Sequence, residues 1–420
     1  MKFIADFHIH SRFSRATSKS IDLTGLEIGA QKKGIQVLGT GDFTHPGWFN
    51  ELKNNLQESE PGLFLNKHSI SSRPDSERPR FILTSEISCI YKKGDKVRKI
   101  HVVLVAPSLE VVEKINNTLG EDYNLKSDGR PILGLDAEEL LKTVLEISSE
   151  ILFIPAHCFT PWFSIFGSKS GFNSVEECFG KSSKYIYALE TGLSADPAMI
   201  WMNPDGQRLT LLSNSDAHSI EKLGREANVF DANLDYFEIA DIIKKKDAKR
   251  FLNTIEFYPQ EGKYYYDGHM ACGFSCSPQE SKKYGNKCPK CGQNLIIGVL
   301  NRSQEIANKP YGFVPEGAIP FKNIVPLPEI ISQAMNLNSF TKKAEIEYNE
   351  IIQKIGPEFY VLVDAPLEEI YKNTRPEIAQ GIQKVREGDV QIVPGYDGIF
   401  GKVGFKVNKQ ALKPQQVLGI

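Results

Sequence analysis

The sequence predicts an α/β fold, built on a parallel sheet, over roughly its first 250 residues. Three observations carry that prediction. Strand-like and helix-like runs alternate along this stretch. Histidines and carboxylates gather where the strand-like runs end, the side of such a fold on which active sites form. A hydrophobic content of 41% with 24% charged residues is that of an ordinary globular chain able to bury a large core.

The strand-like runs are KFIADFHIH at 2–10, IQVLGTG at 35–41, RFILTSEIS at 80–88, RKIHVVLVA at 98–106, EILFIPAH at 150–157, KYIYALETG at 184–192 and RLTLLSNSDAH at 208–218. Helices are expected between them. LDAEELLKTVLEI at 135–147 is the clearest, with Asp136 as N-cap, Glu139 three residues on and apolar residues at helical spacing. DYFEIADIIKKKDAKRF at 235–251 is a second. From Pro259 the chain turns aromatic and turn-rich. Boundaries are therefore expected at 1–258 for the α/β unit, 259–300 for a small module and 301–420 for a mostly helical C-terminal unit. In the last, PLPEIISQAMN, FTKKAEIEYNEIIQKIG, PLEEIYKN and RPEIAQGIQKVREG read as helices and EFYVLVDAP as a strand, with a glycine-rich PGYDGIFGKVGF to follow.

No apolar run approaches the ~20 residues of a membrane span. The N-terminus does not read as a signal peptide, so an intracellular, cytoplasmic location is expected. The net charge of −2 weakens a nucleic-acid reading without excluding one, since a local basic patch suffices. Phosphate-loop patterns fail: the upstream glycine that CFGKSSK would need is Val175. The terminal QQVLGI lacks the aromatic pair of a sliding-clamp peptide and reads as chance.

Five of the eight histidines sit at strand ends. His8, His10, Asp42, Glu86, His101, His157, Asp216 and His218 form an imidazole and carboxylate set suited to two or three divalent ions such as zinc, manganese or iron. Along the first strand Asp6, His8 and His10 share one face, as a chelating pair must. Glu86 and His101 lie on two strands read as a hairpin turning at Lys92–Asp95. That loop pairs Tyr91 with Lys96 and sets Glu86 opposite His101. A one-residue slip would break the pair.

Three cysteines, Cys89, Cys158 and Cys178, are scattered in apolar contexts and read as reduced core thiols. Cys272, Cys276, Cys288 and Cys291 form two knuckles, C-x3-C and C-x2-C, that predict a closed four-cysteine zinc ribbon of structural role. His269 is an alternative for one thiolate.

DFHIHSRFS, GTGDFTHPGW, the Glu86 and His101 pair, PAHCFTPWFS and SNSDAHS, in this order, resemble the polymerase and histidinol phosphatase (PHP) family. Two departures stand out: Arg15 lies where an acidic residue or histidine is usual, and Asp42 takes the place of a ligand histidine, with His45 as the spare. Within that family, GTGDFTHPGW, HCFTPWFSIFGSKSGF, ALETGLSADPAM, the cysteine ribbon and PGYDGIFGKVGF resemble the endonuclease Q branch over residues 1–405. The resemblance implies a distorted (β/α)7 barrel with two or three zinc, manganese, magnesium or iron ions, an added zinc ribbon and a small helical C-terminal domain. It further implies a DNA repair endonuclease that hydrolyses the phosphodiester 5′ of uracil, hypoxanthine, xanthine or abasic sites in duplex DNA. Localisation would then be nucleoid-associated, with replication or repair proteins as partners and no membrane.

On that reading Asp216, Glu86 and His8 are catalytic, with Glu86 bridging two metals and a metal-activated water attacking phosphorus in line. A base-inspecting pocket is expected beside them, offering Lys169, Ser170, Phe172, Glu190 and Trp201 to the substrate. Phe159 and Phe166 read as core packing. Lys342, Lys343, Arg375, Lys384 and Arg386 could clamp the duplex, or be solvated helix faces. Two rivals are a histidinol-phosphate-type phosphatase, which leaves the ribbon and C-terminal unit unexplained, and a non-catalytic repair scaffold, which Arg15 and Asp42 favour.

Overall fold

All seven expected strands form, and they close a distorted ring. The computed structural model describes residues 1–337 and 341–406; QQVLGI lies outside the described residues. Around the ring, β1 (Lys2–Asp6) pairs in parallel with β2 (Val37–Gly39), and β2 in parallel with β3 (Arg80–Lys93). Next comes β4 (Lys96–Ala106), antiparallel to β3, and then β5 (Leu152–Pro155), antiparallel to β4. The Cys158 amide bonds the Glu190 carbonyl at 2.9 Å and joins β5 to β6 (Ala188–Glu190), which pairs in parallel with β7 (Thr210–Leu212). The ring closes just past the strands, where the Phe7 amide donates to Asn214 Oδ1 at 2.9 Å and Ile9 bridges Ala217.

Two features distort the ring. The long β3–β4 hairpin breaks the parallel order. In addition, β1 has a second neighbour, the antiparallel β8 (Ala227–Asp231), so that only Phe7–His10 reach the end of β7. The sheet then runs outward through β9 (Phe251–Glu256), antiparallel to β8, and β10 (Phe321–Asn323), parallel to β9. The segment expected as a separate C-terminal unit thus adds a strand to the main sheet. It is also tied to the barrel by a buried Lys33–Glu358 ion pair at 2.7 Å.

The alternation of side chains along the strands sorts the core into two layers. Phe3, Ala5, Phe7, Ile82, Val103 and Ile154 pack in one cluster with Phe230 and Phe251, whose rings stack 4.5 Å apart. Each Phe, Ile or Val among them contributes about 1.5–3 kcal/mol by leaving water. The second layer lies under the helices. Trp48, fully buried, donates its indole N–H to the Gly41 carbonyl at 2.8 Å and so braces the turn after β2. Both expected barrel helices form, at Ala137–Ile147 and Tyr236–Lys245. Their N-caps are Asp136 and Asp235, which accept backbone amides of the first turn.

In the C-terminal segment the four expected helices appear at Leu327–Ala334, Lys342–Lys354, Leu367–Asn373 and Pro376–Glu387. The strand expected in EFYVLVDAP does not: Tyr360–Asp364 is a π-helical turn. Its β-branched and aromatic residues suggested a strand. The Arg386 guanidinium instead gathers the carbonyls of Val361, Leu362 and Ala365 at 2.7–3.0 Å, which only a coiled backbone can present together. Among the described residues, no helix is long and apolar enough to cross a membrane.

Candidate metal centre

The strand ends bring six of the eight expected ligands into two groups that share Glu86. His8, His10, Glu86 and Asp216 form one; Glu86, His101 and His157 form the other, each with its ligand atoms within 4.8 Å of one another. His10 Nε2 lies 3.2 Å from Glu86 Oε2 and 3.1 Å from Asp216 Oδ1. Glu86 Oε1 lies 2.6 Å from His101 Nδ1 and 3.1 Å from His157 Nε2. One carboxylate therefore turns one oxygen to each group, the geometry of a bridge.

The donor set fits divalent cations. His8 Nε2 is buried without a hydrogen-bond partner, although its lone pair faces Glu86 and Asp216. An orphaned imidazole nitrogen beside two carboxylates is costly unless something binds there. Burial alone would raise Glu86, but His101, His8 and Arg130 outweigh it and hold its carboxyl well below the usual range. The same holds for Asp216 beside His10 and His8. Both carboxylates are thus ionised and ready to ligate.

Backbone strain marks the same places. Among the described non-glycine residues, Asp42, His157, Phe163 and Asp216 have φ of 51°, 29°, 62° and 47°. A left-handed residue at the end of a strand swings its side chain back over the ring, and the cost is borne by the surrounding packing.

The Glu86–His101 pair forms by a different register from the one expected. The turn uses only Gly94 and Asp95, so Lys93 pairs with Lys96, Glu86 with Val103 and His101 with Ser88. The slip is two residues, which keeps both side chains on one face. Diagonal neighbours are still within reach of long side chains.

Asp42 is not in either group. It stands behind His10: Oδ1 accepts from His10 Nδ1 at 3.0 Å, while Oδ2 takes the Ser11 amide at 2.6 Å and the Ser11 and Ser14 hydroxyls at 2.7 and 2.9 Å. Such a carboxylate fixes the tautomer that leaves Nε2 free to ligate. His45 is no substitute ligand. It caps the helix Pro46–Asn55 and packs on Phe13 with ring centres 4.4 Å apart. His218 also lies outside the groups. Its Nδ1 bonds the Asp216 carbonyl at 2.9 Å, and its ring lies 4.4 Å from that of His10.

Of the expected substrate contacts, Glu190 is a second carboxylate of the supporting kind. It accepts from His8 Nδ1 at 3.0 Å, from the His157 amide at 2.8 Å and from Asn214 at 2.9 Å. Ser170, Phe172 and Trp201 are buried. Ser170 Oγ bonds the Phe163 amide and the Lys99 carbonyl, Arg98 stacks 3.9 Å over Phe172, and Trp201 packs edge-on against Phe321. Loop composition suggested exposure of Ser170 and Phe172, but these two fill the space under their own loop, and Trp201 packs against β10. Lys169 is exposed. Phe159 and Phe166 are core, as expected, whereas Trp162 is 39% exposed beside Tyr264.

The sequence reading missed Arg130. Its Nη1 donates to Glu86 Oε2 at 3.0 Å, and its side chain is 29% exposed. SDGR at 127–130 reads only as a turn, and nothing in its pattern ties it to strands 40 residues away.

The small module carries a second candidate site. The ligand atoms of His269, Cys272, Cys288 and Cys291 lie within 4.8 Å of one another, and Cys291 Sγ is 3.5 Å from His269 Nδ1. Cys276 is not among them, a correction to the all-cysteine set. It pairs across a hairpin with Asp267 and packs with Cys288 and Leu295 in the module's own core. Burial pushes the Cys276 thiol up to about 11. Burial would raise Cys288 too, but the Lys290 and Cys291 amides and the Cys291 and His269 side chains outweigh it and bring it down to about 7, near the thiolate a metal needs.

The chain is similar to several known proteins. A family profile described as the MJ0043 C-terminal domain matches residues 326–389. The chain is 35% identical over 260 residues to the uncharacterised protein MJ0043 of Methanocaldococcus jannaschii, covering 60% of this chain and 32% of that one. It thus spans about a third of that relative's length. It is 28% identical over 419 residues to the uncharacterised protein YqxK of Bacillus subtilis, covering 96% of this chain and 99% of that one. Among solved structures it superposes on the lesion-specific endonuclease PfuEndoQ of Pyrococcus furiosus with a TM-score of 0.85 and 31% identity over 98% of each chain. It matches endonuclease Q in complex with a 27-mer duplex carrying an abasic lesion at the active site with a TM-score of 0.84 and 31% identity over the whole of both chains.

Proposed function

The chain belongs to the endonuclease Q family, and on that premise we propose that it is a metal-dependent DNA repair endonuclease. It incises duplex DNA on the 5′ side of abasic sites and of uracil, hypoxanthine and xanthine. One observation carries the reading: Glu86 turns one oxygen to each of two ligand groups at the same strand ends. That arrangement suits two cations held side by side around one scissile phosphate.

His8, His10, Glu86 and Asp216 would hold one ion and Glu86, His101 and His157 the other. Ions held there would supply Lewis acidity at the phosphate and lower the pKa of a nucleophilic water. The protein's own part is orientation. Asp42 and Glu190 accept the Nδ1 protons of His10 and His8, so each ring presents Nε2 to the site. Thr160 Oγ1, 3.1 Å from His157 Nδ1, does the same for the second group. Lys169 and Trp162, exposed on the loop after His157, would meet the strand beside the lesion. The His269, Cys272, Cys288 and Cys291 module would hold one structural zinc. We infer the unit boundaries 1–258, 259–300 and 301–420 for the barrel, ribbon and C-terminal parts.

The test is metal-dependent nicking of duplexes with a single uracil, hypoxanthine or abasic site, with p-nitrophenyl and histidinol phosphates as controls. Cutting confined to the lesion strand is expected. Asp216→Asn should abolish it while the fold is kept. An Asp216→Asn protein that cuts at the wild-type rate would overturn the assignment.

A further inference from the structure

We propose that Arg130 is a catalytic residue: a guanidinium clamp that holds a non-bridging oxygen of the scissile phosphate against the metal centre. This rests on the phosphodiester reading above.

The loop that carries Arg130 is built to deliver it. The Asp128 carboxylate accepts the Arg15 and Arg130 amides, both at 3.2 Å, and pairs with the Arg15 side chain. The Gly129 amide bonds the Phe13 carbonyl at 3.0 Å, and the Pro131 carbonyl accepts the Ser88 amide of β3, also at 3.0 Å. Gly129 is pressed against the support of His10. A Cβ there would lie 2.3 Å from Asp42 Oδ2 and 2.4 Å from Ser14 Oγ. No side chain fits in that space, so the loop comes in closer than any other residue would allow. Arg15, which departs from the family pattern, finds its role here as an anchor of this loop rather than as a failed ligand.

The position of the guanidinium does not suit a brace for Glu86. Glu86 Oε2 is the oxygen turned to His8, His10 and Asp216, and Arg130 Nη1 sits 3.0 Å from that same atom. With a divalent ion in that group, Arg130 would share Glu86 Oε2 with it and face a like charge at close range. An anion shared between the ion and the guanidinium removes the conflict. Formal charges point the same way. Glu86, Asp216, Asp42 and Glu190 are the four carboxylates touching the ligand imidazoles. Two divalent ions neutralise them. Arg130 then adds one positive charge, and a phosphodiester brings one negative. Its partial exposure leaves a side open to the substrate. The planar fork of arginine suits two phosphate oxygens at once.

The test compares wild type, Arg130→Gln and Arg130→Lys as metal-loaded proteins. Metal content is measured first, then inorganic phosphate binding by calorimetry, then kcat and KM on a lesion duplex. We expect Arg130→Gln to keep its metals and its melting temperature but to bind phosphate about tenfold or more weakly, the loss expected for a charged, bidentate contact. Its kcat should fall more than its KM worsens, because the rest of the duplex is held elsewhere. Arg130→Lys should recover part of both. Unchanged phosphate affinity in Arg130→Gln would overturn the proposal. So would a loss of metal, which would make Arg130 a support for Glu86. If wild type binds phosphate in an Arg130-dependent way yet cuts no lesion duplex, the DNA reading falls and the clamp stands.

Discussion

Asp42→Asn separates a supporting carboxylate from a ligand. Oδ2 of Asp42 accepts three donors, the Ser11 amide and the Ser11 and Ser14 hydroxyls, while Oδ1 accepts only His10 Nδ1. In the asparagine variant the remaining oxygen must stay with the three donors, so the NH2 group turns to His10. An N–H donor there needs a bare Nδ1, which moves the ring proton to Nε2, the atom that faces Glu86 and Asp216. The lost interaction is one charge-assisted hydrogen bond, worth about 1.5–3 kcal/mol. That corresponds to about 10- to 100-fold, which is also the usual cost of removing an outer carboxylate from a metal-bound histidine. Titration of the metal-free protein with zinc or manganese against a competing chelator reads this directly, with thermal melting as a check on folding. A loss in that range is expected. Affinity within about twofold of wild type would refute the tautomer argument. A collapse by about a thousandfold or more would return Asp42 to the ligands themselves.

Two further outcomes follow from the structure. Zinc content should survive Cys276→Ser and be lost on His269→Ala or Cys291→Ser, measured by metal analysis of the purified protein; loss on Cys276→Ser with retention on His269→Ala would restore the four-cysteine site. Stability should fall as pH rises through the neutral range, because burial pushes Glu256 up to about 8, and burial with the neighbouring Glu256 and Glu190 charges pushes Glu226 well above its ordinary value of 4.5. The folded chain then binds more protons than the unfolded one between about pH 4.5 and 8, so the contribution is complete below that window and lost across it. Glu226→Gln should therefore stabilise the protein more at pH 8 than at pH 5, by up to roughly 1.4 kcal/mol for each pH unit between them over which the group stays protonated in the fold, read as a larger rise in melting temperature at pH 8. An equal shift at both pH values would argue that Glu226 is ionised in the fold.

Much of the centre was legible because its signals are local. A histidine or aspartate at the end of an apolar run, repeated strand after strand, needs only the barrel's polarity to converge. What failed to read depends on single backbone turns or on distant neighbours. Gly94 and Asp95 form a shorter loop than Lys92–Asp95, and hairpin register follows loop length, which alternation alone does not fix. Asp42 looks like a ligand because its type and position suit one; only the three donors on Oδ2 and the His10 bond on Oδ1 show that it stands behind His10. His269 and Cys276 were interchangeable by spacing, and the hairpin that carries both decides between them. Tyr360–Asp364 has strand composition, yet Arg386, far along the chain, dictates its backbone. Arg130 sits in a plain turn, and nothing short of the folded ring puts it beside Glu86.

The position of β1 has a consequence for how the protein is made. Its register sets Lys2 against Asp231, and its other side pairs with β2. During synthesis at about 5–20 residues per second, the strand that leads to His8 and His10 therefore waits on the order of tens of seconds for one neighbour. Asp216 arrives just before that neighbour does. No nascent fragment shorter than the barrel contains a complete ligand group around Glu86 and Asp216, so the first cation group can be loaded only after the ring has been translated.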